Sequence, residues 1–176
     1  MEQPLVTAVV LAYNAGPYLF PCLQSVAAQT WPALEAVVVN NGSTDGSGAV
    51  CGAFAAKDPR FSVLHGTNLG STGGRAKGLA AAKGDYVFFV DGDDLLHPHF
   101  VQTLVEACLS ASLPAAACRV LPFSGQPPVP AIEAGPLQTL PAPAHLNALL
   151  HNKQVEYSLC NKLYHRSLFA GVPFSC

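Results

Sequence analysis

Charge is what this chain has least of. Of its 176 residues only 11% are charged, and 9 Lys plus Arg against 11 Asp plus Glu leave a formal net charge of −2. That balance provides no electrostatic footprint for nucleic acid, which is excluded as a partner, or for a strongly anionic lipid surface. No apolar run approaches the roughly 20 residues of a membrane span. The best stretch, residues 103–120, is interrupted by Glu106, Pro114 and Arg119. A signal peptide is missing too, because Met1, Glu2 and Gln3 give no basic region and the apolar residues 5–12 run straight into Tyr13 and Asn14. The written start is therefore expected to be the mature one. The 6 cysteines (22, 51, 108, 118, 160 and 176) contain no CxxC pair. Several fall at apolar helical or strand positions, which predicts reduced, buried thiols in a cytoplasmic protein rather than a disulfide framework. There is no internal repeat.

What is present is apolar: 50% of the residues are hydrophobic and the mean hydropathy is +0.30. That fills one core, and the length leaves no room for a second full catalytic module. Strand and helix patterns alternate over the first hundred residues. Apolar runs at 5–12, 33–39, 61–64 and 85–90 read as strands, the last a continuous run of the kind buried on both faces of a parallel sheet. Between them, Pro17 opens a helix whose Leu19, Cys22, Leu23, Val26 and Ala27 keep i, i+3, i+4, i+7 spacing. Residues 48–56 and 70–83 read as two more helices. Repeated βα units of this kind predict an α/β fold with ligands at the carboxyl ends of the strands. Beyond them, 98–110 reads as a helix and 115–121 as a strand. Eight of the fifteen prolines fall between 114 and 143, which predicts an extended loop there. Residues 144–150 read as a short helix and 155–169 as a mixed segment.

The informative polar residues gather at the ends of the predicted strands. After the first come Ala12, Tyr13, Asn14, Ala15 and Gly16, where an aromatic either offers a flat face to a base or caps the core. After the second, Asn40, Asn41, Ser43 and Asp45 suit base or ribose hydroxyls, and equally make a good turn and helix cap. Asp91-Gly92-Asp93-Asp94 after the fourth is the strongest signal. Three carboxylates within four residues repel one another unless a cation neutralises them, and hard oxygen donors fit Mg²⁺ or Mn²⁺ bridging to phosphate. His97 and His99 flank Pro98 without tetrahedral spacing, so a plain helix start is expected there. Gly70-Ser71-Thr72-Gly73-Gly74-Arg75 resembles a phosphate cradle, with backbone amides at a helix start and Arg75 able to fork onto a diphosphate. It has no GKS or GKT ending, and it follows the third strand, so it is neither a Walker loop nor a Rossmann fingerprint.

In order, VTAVVLAYNAGPYLFPCLQSVAAQTWP, VVVNNGSTDGS and HGTNLGSTGGRAKGLAAAKGDYVFFVDGDDLLHP are similar to the donor-binding half of family 2 glycosyltransferases, over about residues 4–110. The later CNKLYHRSLFAGVPF resembles an element of bacterial members that build surface glycans. The resemblance implies the GT-A fold, a mainly parallel central sheet with helices on both faces. It makes residues 1–113 the donor part and 114–176 a Pro-rich loop plus the incomplete start of an acceptor-side part. It further implies a nucleotide-sugar donor, expected to be UDP-linked, a glycan or lipid-linked acceptor, Mn²⁺ or Mg²⁺ as cofactor, inversion at the anomeric carbon, and a cytoplasmic location with peripheral membrane contact at the inner face.

Carried over by position, Ala12 and Tyr13 would border the base, Tyr13 by stacking. Asn41 stands where the family usually has the Asp that reads the base edge, Ser43 follows it, and Arg75 matches an arginine near base and diphosphate. Asp91 and Gly92 would address ribose or donor sugar, and Asp93 would be the metal ligand with Asp91 and Asp94 in support. Two departures stand out, Asn41 for Asp and Ala76 for a frequent Asn. The chain also stops at Cys176, before the region where the family places its Glu-Asp base, so the catalytic base is expected beyond it; Glu106, Glu133 and Glu156 are unconvincing substitutes. The competing expectations are a donor-binding fragment without turnover, a half that needs a partner chain, or an interaction domain that binds no nucleotide. Self-association through an uncovered apolar surface is expected of a fragment.

Overall fold

A computed structural model of the chain describes residues 3–125, 139 and 158–172. The apolar runs become the centre of a six-stranded sheet. Strand β1 (Val6–Ala12) is buried at every position, β2 (Leu34–Asn41) at all but one, and β4 (Tyr86–Asp91) at all but the last. Runs without alternation are what a sheet covered on both faces requires. The shorter β3 (Phe61–Gly66), β5 (Ala115–Ala117) and β6 (Lys162–His165) lie outside them, in the order β3-β2-β1-β4-β6-β5. The first four strands run parallel; β6 is antiparallel to both β4 and β5. The chain moves outward from β1 through β2 to β3 and then returns to place β4 on the other side of β1. That reversal opens a crevice at the carboxyl ends of β1 and β4, where Leu11 pairs with Asp91.

Helices α1 (Leu19–Ala27), α2 (Ser47–Ala55) and α4 (Phe100–Ala111) cover one face, and α3 (Gly70–Ala81) the other. α1 buries Leu19, Cys22, Leu23 and Val26, the predicted stripe, and a 3-10 turn at Gly16–Tyr18 carrying Pro17 leads into it. The first core combines that stripe with Val6, Ala8, Val10, Val38, Phe88 and Leu104; the second face holds Val9, Leu11, Val37, Val39, Val87 and Phe89. α3 approaches closely because it is glycine-lined: a Cβ on Gly78 would collide with Val9 Cγ1 and lie 3.1 Å from Val39 Cγ2. Gly52 of α2 has no neighbour within 4 Å of its Cβ position. Gly52→Ala is accordingly expected to raise stability by about 0.4–1 kcal/mol, read as a higher midpoint in urea.

Buried polar side chains join the helices. Gln29 Nε2 donates to the carbonyls of Ser25 (3.0 Å) and His97 (2.8 Å), while its Oε1 accepts the Val101 amide of α4 at 2.9 Å. α4 begins at Phe100, with His99 as its cap residue and His99 Nδ1 3.1 Å from Thr30 Oγ1, so the two histidines form a helix start as expected. β5 is shorter than the expected strand over 115–121, because β6 offers only residues 162–165 to pair with it. The expected helix at 144–150 lies outside the described residues, as does most of the Pro-rich segment. Among the described residues Cys22, Cys51, Cys108, Cys118 and Cys160 are all free thiols, and no helix is long and apolar enough to cross a membrane.

Candidate functional site

The crevice at the switch point collects most of the residues singled out from the sequence. β1 ends at buried Ala12, and Tyr13 follows with half of its surface exposed (50%) at the mouth. The loop after β1 is held by the loop after β2. Ser43 Oγ accepts the Asn14 amide at 3.1 Å and donates to the Ala12 carbonyl at 3.4 Å; Asn14 Oδ1 accepts the Thr44 amide at 2.8 Å. Asp45 accepts the Gly16 amide at 2.8 Å and the Ser47 amide at the start of α2 at 3.0 Å. Ser43 and Asp45 therefore fix the shape of the rim, the role the sequence left open beside nucleotide contact.

Asn41 closes the other end of this loop cluster. It is 3% exposed, and its amide faces the loop before α3. Oδ1 accepts the Leu69 amide at 3.1 Å, while Nδ2 donates to the Gly70 carbonyl at 3.0 Å and to Asn68 Oδ1 at 3.3 Å. Sequence position suggested a base-reading amide; in the ligand-free fold its Nδ2 donates within the chain, while Oδ1, beside the Leu69 amide, retains a second lone pair.

On the other side of the crevice Gly92 packs flat against β1, its amide donating to the Leu11 carbonyl at 2.9 Å. A Cβ there would stand 3.1 Å from that carbonyl oxygen and 3.2 Å from Ala15 Cβ, so the turn accepts only glycine without a shift. Arg75 reaches across from α3 to Asp91, with Nη2 2.6 Å from Oδ1 and side chains 16% and 38% exposed. Its Nε is buried without a partner among the described residues. Among the described residues Asp91 alone of the three carboxylates forms an ion pair, although the Arg75 charge also acts on Asp94. Asp93 is exposed. Burial, followed by the charges of Asp91 and Asp93, pushes the Asp94 carboxyl up from the ordinary carboxylate value.

One site residue escaped the residue-by-residue reading. The Cys160 thiol, just ahead of β6, donates to Asp91 Oδ2 at 3.3 Å and lies 3.8 Å from Arg75 Nη2. Burial and then Asp91 raise its pKa to about 11. One ligand atom each from Asp91, Asp94 and Cys160 falls within 4.8 Å of the others. The signal for it was the CNKLY element, whose antiparallel pairing next to β4 carries Cys160 to the end of that strand. Two carboxylate oxygens suit a hard divalent ion, and the protonated thiol is a poor ligand for Mg²⁺. The site thus fits Mn²⁺ or Mg²⁺ through its carboxylates.

Comparison with known proteins agrees with this geometry. The model of the family described as Glycosyl transferase family 2 matches residues 7–171. EpsJ of Bacillus subtilis (strain 168), an uncharacterized glycosyltransferase, is 32% identical over 169 residues, 94% of this chain and 49% of that protein. YibD of Escherichia coli (strain K12), also uncharacterized, is 37% identical over 64% of this chain and 33% of its own length. This chain thus spans half or less of those relatives. Among solved structures, Staphylococcus aureus TarS 1–349 in complex with UDP-GlcNAc superimposes with a TM-score of 0.72 at 24% identity, over 94% of this chain and 46% of that one. The mannosyltransferase PcManGT from Pyrobaculum calidifontis, in complex with GDP-Man and Mn²⁺, gives 0.63 at 26% identity, over 68% and 36%. The fold is GT-A, and the chain belongs to glycosyl transferase family 2.

Proposed function

We propose that this chain binds the nucleoside diphosphate sugar of a glycosyl transfer, with UDP as the carrier, and that the reaction inverts the anomeric carbon and builds a cell-surface polysaccharide on a glycan or lipid-linked acceptor. The observation that carries this reading is Arg75. A guanidinium mostly withdrawn from water, held by Asp91 at 2.6 Å and with Nε unpaired, sits at the switch-point crevice and awaits an anion. Tyr13, exposed at the mouth, gives the base an apolar face to stack on.

Asp94 and Asp91, whose carboxylates the fold brings together, would hold a divalent ion, with the exposed Asp93 expected from its sequence position to join them. Bound there, it would supply Lewis-acid neutralisation of the diphosphate leaving group. The chain's own contribution is placement. Gly92 keeps the carboxylate turn tight against β1, the Asn14–Ser43 and Gly16–Asp45 bonds fix the rim, and Arg75 opposes the charge that gathers on the leaving diphosphate. The attacking hydroxyl needs a carboxylate base within hydrogen-bond reach. Glu106, on α4, is engaged with Gln102 Nε2 at 2.9 Å; Glu133 and Glu156 lie outside the described residues. Because the chain spans half or less of its relatives' length, the base is proposed to come from outside residues 1–176, from further sequence or a partner chain, and the cytoplasmic location at the inner membrane face belongs to this same proposal.

Calorimetric titration with UDP and GDP, with and without Mn²⁺, tests the reading. The expected result is metal-dependent binding of UDP with transfer at most about 10⁻² to 10⁻⁴ of a complete enzyme's rate, the usual cost of a missing general base. Robust transfer to an acceptor by residues 1–176 would overturn the placement of the base. No nucleotide binding at all would leave an interaction domain as the better reading.

A further inference from the structure

We infer that Cys160 makes the end of β4 a site for thiophilic divalent ions: Zn²⁺ is held by the Cys160 sulfur together with Asp91 and Asp94, and while bound it excludes both the hard ion and the diphosphate that the hard ion would carry. The inference rests on the reading of these carboxylates as the divalent-ion site. It goes beyond that reading by giving the thiol a task, the choice between metals.

Three parts of the chain supply the donors. Asp91 ends β4, Asp94 lies in the turn after it, and Cys160 stands just ahead of β6, with one donor atom of each within 4.8 Å of the others. The two oxygens of Asp91 are divided between neighbours: Oδ1 faces Arg75 Nη2 at 2.6 Å, and Oδ2 faces the Cys160 thiol at 3.3 Å. The turn that carries the sulfur is itself tied down. The Cys160 amide donates to Ser158 Oγ at 3.0 Å, and buried Lys162 donates through Nζ to the Ser158 carbonyl at 2.5 Å and to Asn161 Oδ1 at 2.8 Å. Asn161 Nδ2 in turn donates to the Cys118 carbonyl at 2.6 Å. The sulfur is therefore in place beside Asp91 before any ion arrives, which spares the cost of ordering a third ligand.

Softness and geometry then separate the ions. Mg²⁺ and Mn²⁺ favour oxygen, whereas Zn²⁺ forms a strong bond to sulfur and displaces the thiol proton to solvent. Two carboxylates and a thiolate set against the Arg75 guanidinium leave two negative charges, which a divalent ion neutralises. A diphosphate chelates a metal through one oxygen of each phosphate and so needs two adjacent open positions. A six-coordinate ion on Asp91 and Asp94 has them to spare, while a tetrahedral ion on Asp91, Asp94 and Cys160 has one. Were the exposed Asp93 to join that set, none would remain.

The probe for the ligand set is Co²⁺, a coloured substitute for Zn²⁺, titrated without nucleotide into the unaltered chain, Cys160→Ser and Cys118→Ser. Serine keeps a hydroxyl donor toward Asp91 and removes only the sulfur; Cys118, an exposed thiol, is the control. The expected result is a thiolate-to-cobalt charge-transfer band with the intense visible absorption of four-coordinate Co²⁺, present in the unaltered chain and Cys118→Ser and missing from Cys160→Ser. Zn²⁺ should also slow alkylation of Cys160 by iodoacetamide in the unaltered chain, mapped by mass spectrometry, which needs no variant to fold. Added to chain, Mn²⁺ and UDP, Zn²⁺ should weaken UDP binding about tenfold or more, and Cys160→Ser should need about ten times more Zn²⁺ for the same loss. No thiolate band, or one that survives in Cys160→Ser, would overturn the ligand set. UDP binding as tight with Zn²⁺ as with Mn²⁺ would overturn the exclusion. If UDP binds with neither metal, the donor-site reading fails and the exclusion with it, while the Co²⁺ spectrum still decides whether Cys160 is a metal ligand.

Discussion

Mn²⁺ is expected to cease strengthening nucleoside diphosphate binding when Asp93 and Asp94 are both replaced by alanine, and the variant is expected to melt no lower than the unaltered chain. Metal and nucleotide each tighten the other through one coupling free energy, typically worth about 5- to 150-fold. In the double variant that factor falls to one. Asp91 is spared because it is the partner of Arg75 at 2.6 Å; removing it would strand a guanidinium mostly withdrawn from water. Asp93 and Asp94 form no ion pair among the described residues. The stability side follows from the sign of the Asp94 shift. Its pKa in the fold is raised, so its favourable contribution is complete below the unfolded value and is lost as pH rises through the folded one. Wherever it is ionised the group opposes folding, so its replacement is not expected to lower the melting temperature. On acidification the metal-free site should take up a proton at Asp94 before ordinary carboxylates do. Calorimetry at fixed pH with and without Mn²⁺, together with thermal melts, provides both readouts; retained coupling in the double variant would move the ion elsewhere.

Gly78→Val is expected to cost about 3 kcal/mol, at the upper end of overpacking in a full interior. The Cβ alone meets Val9 Cγ1, and Val9 is wholly buried in the centre of the sheet, so the helix must move rather than the strand. At two to four degrees per kcal/mol for a chain of this size, the melting temperature should fall by roughly 6–12 °C. Gly78→Ala sets the alanine preference of a helix, about 1 kcal/mol, against the same collision, and should remain a net loss. Because Arg75 is one turn earlier on α3, the valine variant should also weaken UDP binding at temperatures where it is still folded. An unchanged melt would mean that α3 does not pack on β1 and β2 as closely as its glycines permit. Gly52→Ala, on the open side of α2, gives the opposite sign and shows that glycine as such is not the cause.

Much of this arrangement was legible in the residues. Unbroken apolar runs named the buried parallel strands, the spacing of Leu19, Cys22, Leu23 and Val26 named the α1 face, and Asp91-Gly92-Asp93-Asp94 marked the end of β4 as the place where charge needs an answer. These are local properties. A strand buried on both faces has no polar alternation, and a helix stripe recurs every three or four residues whatever surrounds it. The sequence of motifs along the chain also determined the family, since each lies at a strand end in the order that the GT-A sheet uses.

Only the tertiary structure decided which polar groups were still free to act. Asn41 and Ser43 read equally well as ligand contacts or as turn residues, because a hydrogen-bonding side chain does not carry the name of its partner. The fold assigned Asn41 to Leu69 and Gly70, and Ser43 to Asn14 and Ala12, across separations of about thirty residues. It brought Cys160 to Asp91 over a separation of 69 residues, through an antiparallel strand that local patterning could not register. It also showed that Gly74 and Gly78, read as part of a phosphate cradle and its helix, serve close packing of α3 on the sheet. Backbone propensity and burial act between neighbours in the chain and are fixed by sequence. Hydrogen-bond partners and steric fit act between neighbours in space, and the chain acquires those only when the sheet is assembled.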